Sequence, residues 1–333
     1  MNFQKIVQIT LAFFAFAFVI GIIFWGMQWF SISLTEFFMM KTAQSQETFL
    51  GSISNSLASA GTPNGQQPPQ ILQEAREPEK LEISATAALS FKTNLSGERI
   101  IYYEKNEKSI LPIASLTKLM TALVVLDNYD LSKETVISEK AAAQEGEQGS
   151  LEAGQTLSVR NLLYITLIES SNDAAYALAE VIGIDRFLSL MNTTAKNIGL
   201  KNTYFVDATG LDSGSYSSVS DLKILAEYLL KNYPLDWGVT SIKELDLYFS
   251  DGQLHHRLMN TNQLLGVIPG IVAGKTGWTI EAKGCFIVVR QNQQKDGFII
   301  NIVLGSEDRD YDMKEMINWV DDKTNNGNNN NSL

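Results

Sequence analysis

The hydrophobic pattern divides the chain into an apolar start, a polar connection and a long mixed remainder. Residues 6–30 are mostly apolar and carry no charged side chain. About 20 such residues are enough to span a bilayer, so this block predicts a transmembrane helix within an N-terminal membrane anchor, residues 1–41. Trp25, Trp29 and Phe30 at its far end differ from the small residues of a signal-peptide cleavage site, which favours an anchor that is not removed.

Charges near this helix and the composition after it predict where the rest of the chain lies. Lys5 precedes the helix, whereas Glu36 partly offsets Lys41 after it, so the positive-inside bias favours a cytoplasmic N-terminus. Residues 42–80 are rich in Ser, Gln, Gly and Pro and predict a flexible linker with an end-to-end distance of roughly 35 Å. We therefore expect a single-pass protein of the cell membrane whose remaining chain lies on the extracytoplasmic side.

Residues 81–322 mix β-type and helical patterns and predict one domain. Two β-rich runs separated by a turn containing Asn94 and Gly97 open it as a hairpin. Helical segments are predicted at 159–168, 173–182, 187–198, 221–230 and 313–320, and further strands at 271–275, 285–290 and 298–304. Strands at both ends of a helical middle predict an α+β domain with an antiparallel sheet and a helical subdomain. The Asn-rich residues 323–333 predict a disordered tail.

Composition and charge restrict the partners. A net charge of -11 without any basic block argues against nucleic acid, because phosphate binding needs clustered Lys and Arg. The one cysteine, Cys285, excludes an intrachain disulfide and is predicted to be a thiol of the core. His255 and His256 are the only histidines. Neighbours on an extended segment point to opposite faces, so we expect solvated polar residues rather than a chelate or a base.

Three short motifs carry the candidate chemistry, in this order: Ser115-Leu116-Thr117-Lys118, Ser170-Ser171-Asn172 and Lys275-Thr276-Gly277. A serine three residues before a lysine shares a helix face with it, so the amine can take the hydroxyl proton and make the serine a nucleophile. Apolar residues at helical spacing after Ser115 place this serine at the start of a buried helix, whose amide groups favour a developing anion. The ordered set matches the penicillin-recognising motifs Ser-x-x-Lys, Ser-Asp-Asn and Lys-Thr-Gly, with Ser171 in place of the Asp.

With these motifs the chain resembles the serine D-Ala-D-Ala carboxypeptidases, low-molecular-mass penicillin-binding proteins related to the serine β-lactamases. The resemblance extends to flanking blocks at 112–122, 170–175, 205–211 and 274–277 and covers about 85–320. It implies a β-lactamase/DD-peptidase-like fold and a DD-carboxypeptidase that removes the terminal D-Ala from peptidoglycan stem peptides. It also implies β-lactams as covalent inhibitors and no metal or organic cofactor.

The resemblance implies roles for the residues of the first two motifs. Ser115 would attack the carbonyl between the two D-alanines and form an acyl-enzyme, with Lys118 as the general base. The Lys118 amine would have to be neutral part of the time, which burial and the positive charge of Lys275 would favour. Ser170 would relay a proton to the leaving amine. Asn172 would hold Lys118 and a substrate amide in place.

The remaining implied roles concern substrate binding. Lys275 and Thr276 would receive the terminal carboxylate, and Gly277 would let a substrate strand approach the backbone closely. The backbone amides of the nucleophile and of Trp278 would form the oxyanion hole. Arg309 would be a weaker second contact for the carboxylate, or a solvated charge.

Three other functions stay open at this point. A DD-endopeptidase, which cuts the crosslink between two stem peptides, needs the same nucleophile, and the sequence does not separate it from a carboxypeptidase. Class A β-lactamases use an extra glutamate, and the comparable region 202–210 lacks a glutamate followed closely by Leu-Asn, which predicts slow release of β-lactams. A non-catalytic penicillin-binding sensor would need an output, and few residues precede the predicted helix.

Overall fold

The computed structural model describes residues 80–94, 98–146, 149–292 and 297–329. The predicted anchor and the predicted linker up to residue 79 lie outside the described residues. Among the helices of the described part, none combines the length and the apolar character needed to cross a bilayer.

The described residues form strands and helices in an order close to the predicted one. The strands are β1 (Ala87–Thr93), β2 (Arg99–Lys105), β3 (Leu111–Pro112), β4 (Glu134–Val136), β5 (Thr156–Ser158), β6 (Tyr216–Ser217), β7 (Glu244–Tyr248), β8 (Leu254–Met259), β9 (Ile271–Thr279), β10 (Lys283–Gln291) and β11 (Phe298–Ser306). The α-helices are α1 (Thr117–Asn128), α2 (Val159–Tyr164), α3 (Asn172–Glu180), α4 (Ile184–Asn197), α5 (Val219–Asn232), α6 (Pro234–Gly238) and α7 (Arg309–Asn329).

The central sheet has five antiparallel strands in the order β2-β1-β11-β10-β9. The opening hairpin and the meander formed by the last three strands confirm the predicted α+β class. The chain therefore enters the sheet near one edge and ends its strands in the middle. Strand β9, which carries the third motif, lies at the other edge.

Both faces of the sheet are covered by apolar side chains, because successive residues of a strand point to opposite faces. On one face, Leu89 and Ile287 belong to the large core shared with the helical part. On the other face, Ala88 and Val288 pack in a smaller cluster that includes Met313 of α7. The sheet is thus the middle layer between the helical part and the last helix.

Helix α1 is the central helix of the molecule, and its side chains are buried from Thr117 to Val125. Such all-round burial is typical of a helix in the interior of a domain rather than at its surface. Three of the surrounding helices, α2, α3 and α5, begin at a serine whose side chain accepts a hydrogen bond from the first turn. These caps fix where each helix starts around α1.

Two features differ from the sequence-based predictions. Helix α7 continues to Asn329, whereas the sequence predicted a disordered tail from residue 323. Buried residues at Met313, Met316 and Val320 anchor the helix, and an established helix extends by one hydrogen bond per residue even through poor helix formers. The antiparallel hairpin of β7 and β8 was not predicted.

Candidate active site

The first motif begins in a short 3-10 turn, Ala114–Leu116, that leads directly into α1. Ala114 has φ 46, a left-handed conformation that is uncommon for a residue with a side chain. Such backbone strain persists only where the surrounding structure enforces it, and it concentrates at functional sites. The turn presents Ser115 at the N-terminal end of the buried helix, as predicted.

Gly277 of β9 packs against this turn. A Cβ atom at Gly277 would lie 2.9 Å from the backbone nitrogen of Ser115 and 3.1 Å from Cβ of Ala114. Gly277 was predicted to make room for a substrate strand, and the structure shows a further close approach at this residue. The missing side chain makes room for the nucleophile turn, so that β9 and the backbone nitrogen of Ser115 lie side by side.

The Lys118 amine is the centre of the site. Lys118 is fully buried, and its Nζ lies 2.8 Å from Ser115 Oγ, 2.6 Å from Asn172 Oδ1 and 2.7 Å from the carbonyl oxygen of Thr209. The predicted contact between the serine and the lysine of the first motif is thus present in the structure. Asn172 holds Lys118 as predicted, and its Nδ2 donates to the carbonyl of Glu145.

Burial lowers the pKa of Lys118 to about 7, against the opposing effect of the negative Asp207. A lysine with this pKa is neutral in a substantial fraction of molecules at neutral pH and can accept a proton. Burial was expected to favour the neutral amine. Lys275 was expected to do so as well, and the two amines do interact; the negative Asp207 acts in the opposite direction and favours the protonated form of Lys118.

The second motif lies at a break between two helical segments. A π-helical turn, Ile165–Glu169, ends at Ser170, which adopts φ 66 and is thereby placed outside the helix. Ser171 then caps α3 by accepting a hydrogen bond from the Ala174 amide. The position between Ser170 and Asn172 thus has a structural task that its hydroxyl fulfils.

The third motif places a second buried amine beside Ser170. Lys275 Nζ donates to Ser170 Oγ at 2.7 Å and to the carbonyl of Thr276 at 2.9 Å. Burial lowers the pKa of Lys275 well below its usual value, and the positive charges of Lys118 and Arg309 lower it further. Thr276 Oγ1 pairs with the hydroxyl of Thr261 at 2.6 Å. The predicted residues of all three motifs therefore meet in one place.

The two remaining predicted residues flank this place. Trp278 follows Gly277 on β9, and its side chain is largely exposed. Arg309, the first residue of α7, donates from Nη1 to the carbonyl of Gly277 at 2.7 Å. Arg309 is therefore not simply a solvated charge, because one of its guanidinium nitrogens holds the backbone of β9.

Asp207 is a residue of the site that the sequence did not single out. Its carboxylate accepts hydrogen bonds from the turn that follows it, including the amides of Gly210 and Leu211 and the hydroxyl of Thr209. An aspartate that bonds to the backbone a few residues ahead is a usual turn former. That signal was present in the sequence, but it does not reveal that the Thr209 carbonyl reaches Lys118.

The predicted opposite orientation of His255 and His256 is wrong, and His256 is not a solvated side chain. The rings of His255 and His256 lie on the same side, with their Nδ1 atoms 2.5 Å apart, and His256 Nε2 lies 2.9 Å from Glu169 Oε2. The buried Glu169 also accepts from the amide of Met259 at 3.1 Å. The pair therefore ties the unpredicted hairpin of β7 and β8 to the residue before Ser170, since a buried carboxylate must find partners.

Cys285 lies on β10, paired with Gly277 of β9, and is buried in the core, as predicted. Burial raises the pKa of its thiol to about 12, so the thiolate that reacts with electrophiles is scarce at neutral pH. The chemistry of the site thus rests on the serine hydroxyls and the lysine amines.

With this geometry in place, comparisons with known proteins are informative. Residues 73–308 match the sequence profile of a family described as D-alanyl-D-alanine carboxypeptidase. The D-alanyl-D-alanine carboxypeptidase DacF of Bacillus subtilis is 39% identical over 193 residues, which cover 56% of this chain and 49% of that protein. A D-alanyl-D-alanine endopeptidase of Pseudomonas aeruginosa is 35% identical over 196 residues, covering 56% and 62%. The chain thus matches about half of the length of these relatives.

Solved structures give the same picture for the fold. The crystal structure of the DD-transpeptidase of Streptomyces K15 is similar with a TM-score of 0.64 at 30% identity, covering 72% of this chain and 97% of that one. The D-alanyl-D-alanine carboxypeptidase DacD of Francisella tularensis gives a TM-score of 0.65 at 28% identity, covering 73% and 71%. All three motifs lie within the matched residues of the family profile, and Arg309 lies one residue beyond them.

Proposed function

The chain belongs to the D-alanyl-D-alanine carboxypeptidase family, and from this premise we propose that it is a serine DD-carboxypeptidase. Its substrate is the D-alanyl-D-alanine end of a peptidoglycan stem peptide, from which it releases the terminal D-alanine through an acyl-enzyme on Ser115. The observation that carries the proposal is the contact of the buried Lys118 amine with the Ser115 hydroxyl and with two fixed acceptors.

Acylation uses the groups around the nucleophile. The neutral Lys118 amine takes the hydroxyl proton while Ser115 Oγ attacks the carbonyl carbon between the two D-alanines. A base with a pKa near 7 suits this transfer, because it is both available and strong enough at neutral pH. The carbonyl oxygen becomes an anion, for which the backbone amides of Ser115 and Trp278 are the proposed donors. One such donor is worth about 3–4 kcal/mol in known cases.

Release of D-alanine and hydrolysis complete the cycle. The C–N bond breaks, and the leaving amine takes, through the Ser170 hydroxyl, the proton that Lys118 had accepted, so that Lys118 is neutral again; Ser170 already contacts the Lys275 amine. A water molecule then attacks the ester carbonyl while Lys118 takes its proton, and Lys118 passes this proton to Ser115 Oγ as the ester bond breaks, which restores the hydroxyl. Lys275 and the Thr276 hydroxyl bind the carboxylate of the terminal D-alanine, a charge-assisted contact that favours the protonated amine.

A DD-endopeptidase is the second candidate, favoured by relatives of that name. They include the protein of Pseudomonas aeruginosa and one of Escherichia coli that is 28% identical over 246 residues. Both reactions cut an amide bond at a D-alanine carbonyl with the same catalytic groups, and the difference lies in the leaving amine, which in the endopeptidase belongs to a second stem peptide. Digestion of a purified crosslinked muropeptide dimer, compared with the monomer, separates the two activities.

We also propose that residues 6–30 anchor the protein in the cell membrane and that the domain faces the extracytoplasmic side. The proposal is supported by the uncharged length of this segment and by the charges around it. Alkaline carbonate should leave the full chain in the membrane pellet and should extract a chain that lacks residues 1–41. Protease added to intact spheroplasts should digest the domain. Protection of the domain would contradict the proposed orientation.

The catalytic proposal is tested with the full chain in detergent. The chain is incubated with diacetyl-Lys-D-Ala-D-Ala and, separately, with fluorescent penicillin, and free D-alanine and the covalent label are followed. Ser115→Ala removes the nucleophile, and Ser132→Ala is the matched control because Ser132 is exposed and bonds to Asp130 alone among the contacts found for its side chain in the described residues.

We expect D-alanine release and a long-lived penicillin adduct from the full chain and from Ser132→Ala, and neither from Ser115→Ala. An adduct without D-alanine release would move the assignment to the endopeptidase or to a non-catalytic sensor. A short-lived adduct with hydrolysed penicillin would indicate a β-lactamase. A folded chain that gives neither signal would contradict the proposal.

A further inference from the structure

We propose that Asp207 is a positioning residue for the general base. Its carboxylate fixes the turn 207–212 so that the Thr209 carbonyl holds one hydrogen of the Lys118 amine, while its negative charge acts on the same amine. The proposal rests on the proposed function, because it explains how Lys118 is kept ready to take the proton of Ser115.

The contacts of Lys118 define what has to be positioned. A neutral amine has two hydrogens and one lone pair. Asn172 Oδ1 and the Thr209 carbonyl oxygen are acceptors at 2.6 and 2.7 Å, and together they take both hydrogens. The lone pair then faces the third neighbour, Ser115 Oγ at 2.8 Å. If the Thr209 carbonyl moved away, the amine could rotate and turn its lone pair away from the nucleophile.

The Asp207 carboxylate holds that carbonyl by bonding to several donors of the turn and to Ser215 beyond it. Its oxygens accept hydrogen bonds from two hydroxyls and three amides, which belong to Thr209 (2.6 Å), Ser215 (2.7 Å), Gly210 (3.0 Å), Leu211 (3.0 Å) and Asp212 (3.3 Å). A carboxylate with several donors is fixed in position, and it fixes the donors in turn. The turn therefore has one arrangement rather than several.

The turn 207–212 also contacts the segment that carries the nucleophile. Gly210 has φ +81, and a Cβ there would lie 1.9 Å from the carbonyl oxygen of Ala114, the residue before Ser115. Thr121 of α1 donates to the carbonyl of Ala208 at 2.6 Å. The turn is thus fastened to α1 and to the nucleophile turn, so that its geometry is transmitted to both reacting groups.

The charge of Asp207 adds an electrostatic effect to this geometry. It raises the pKa of Lys118, which burial lowers. Among the described residues, the Lys118 amine also interacts with the Lys275 amine on β9, which in turn interacts with Arg309 on α7. Asp173, next to Asn172 on α3, has a pKa raised by burial to about 6 and titrates in the same range. Comparisons between variants at position 207 leave these groups unchanged.

Asp207→Asn separates charge from geometry. The amide oxygen can accept from the three backbone amides as Oδ2 does, and the amide nitrogen can donate to the Ser215 hydroxyl, so the turn is expected to stay in place. Asp207→Ala removes both charge and contacts. Asp212→Asn is the matched control, because Asp212 is an exposed carboxylate of the same turn whose side chain accepts from the Gly214 amide.

The first measurement is the rate of acylation by fluorescent penicillin as a function of pH. In Asp207→Asn we expect the acid limb of the profile to move to lower pH by about one unit, because the amine loses a nearby negative charge. In Asp207→Ala we expect a fall of about 100-fold at every pH, because the base is no longer aligned. Asp212→Asn should follow the unchanged chain.

The second measurement does not depend on activity. Lysine labelled with 13C at Cε is titrated by NMR, with the Lys118 signal assigned through Lys118→Arg, and the titration midpoint of Lys118 should be lower in Asp207→Asn. A midpoint and an acid limb equal to those of the unchanged chain would overturn the inference, as would an equal shift in Asp212→Asn. If the unchanged chain is not acylated at all, the proposed function fails, and the NMR midpoint still decides the role of Asp207.

Discussion

The two buried lysines of the site have similar burial but opposite surroundings. Lys118 has two carbonyl-type acceptors, a serine hydroxyl and the negative Asp207 near it. Lys275 has a serine hydroxyl and one backbone carbonyl, and the charges that act on it are the positive Lys118 and Arg309. Burial lowers both pKa values, but a negative neighbour opposes the effect for one amine and positive neighbours increase it for the other.

These surroundings suit the two amines to different proposed roles. The Lys118 amine has its hydrogen-bond partners in the free protein, and its pKa is about 7. Both properties suit the proposed role of a reusable base. In the described part of the chain, the charges that act on Lys275 are the positive Lys118 and Arg309, and the carboxylate of the proposed substrate would supply a negative partner. Binding of a carboxylate would raise the pKa of Lys275, so substrate binding and proton uptake are coupled.

The largest effect is expected from replacing Lys118, the proposed general base. Lys118→Arg keeps the positive charge but cannot be deprotonated in a protein, so the base is lost while the charge stays. We expect acylation by penicillin and release of D-alanine to fall by about 1000-fold or more. Stopped-flow labelling and a D-alanine assay measure this, and circular dichroism confirms folding. Activity within tenfold of the unchanged chain would mean that another group is the base.

The next largest effect is expected from replacing Lys275. Lys275→Met should lower kcat/KM for a peptide with a free carboxylate by about 100-fold, since a hydrogen bond to a charged group is worth about 1.5–3 kcal/mol. A peptide amide of the same sequence should be affected far less. If both substrates lose activity equally, Lys275 acts in the chemical step rather than in carboxylate binding.

Because carboxylate binding is coupled to protonation of Lys275, KM is expected to change with pH in a definite direction. The carboxylate needs the protonated amine, so KM of the unchanged chain should rise as the pH increases through the lowered pKa of Lys275. In Lys275→Arg the guanidinium stays charged, and the rise of KM with pH should disappear. A rise of the same size in Lys275→Arg would show that a different group controls carboxylate binding.

A smaller effect is expected from replacing Arg309. Its charge acts on Lys275, and its guanidinium donates a hydrogen bond to the backbone of β9. Arg309→Met removes a positive charge near Lys275 and frees the carbonyl of Gly277, whose peptide group also contains the Trp278 amide. A peptide group is planar and trans, so holding its carbonyl directs its amide to the opposite side. We expect about a tenfold loss of acylation rate, roughly 1.4 kcal/mol. Lys283→Met, at an exposed lysine on the adjacent strand β10, is the control.

The smallest effect is expected at Glu169, which precedes Ser170. Glu169→Gln weakens the contact with His256 and should lower the free energy of unfolding by about 1–3 kcal/mol, measured by urea denaturation. Activity should fall only a few-fold, and the acid limb set by Lys118 should not move. Glu281→Gln, at an exposed position, should change neither quantity. A shifted acid limb would show that Glu169 affects the protonation of Lys118 instead.

The sequence predicted those parts of the site that depend on local geometry. Ser115 and Lys118 share a helix face because they are three residues apart, and that contact is present. Helices and strands with a clear apolar period were predicted close to their observed limits, except for the last helix, which was predicted at 313–320 and spans Arg309–Asn329. The central sheet and its antiparallel character also agree with the prediction, because the hairpin and the meander each join strands that are neighbours in sequence.

What the sequence did not reveal depends on contacts between distant segments. Thr209 lies 91 positions from Lys118, and Glu169 lies 87 positions from His256, so no local period reports either contact. Ser170 adopts a left-handed conformation without being a glycine, which leaves no signal in the residue type. Gly277 was recognised as a close-approach residue, but the segment that approaches it is Ser115 and its neighbours.

Cys285 has a practical consequence for biophysical work on this protein. It is the one cysteine of the chain, and its buried thiol with a pKa of about 12 should not react with maleimides in the folded state. A single cysteine introduced at an exposed position, such as Ile280, could therefore carry a spin label or a fluorophore without removal of Cys285. Distances and mobilities around the β9–β10 turn then become measurable by spectroscopy in an otherwise unaltered chain.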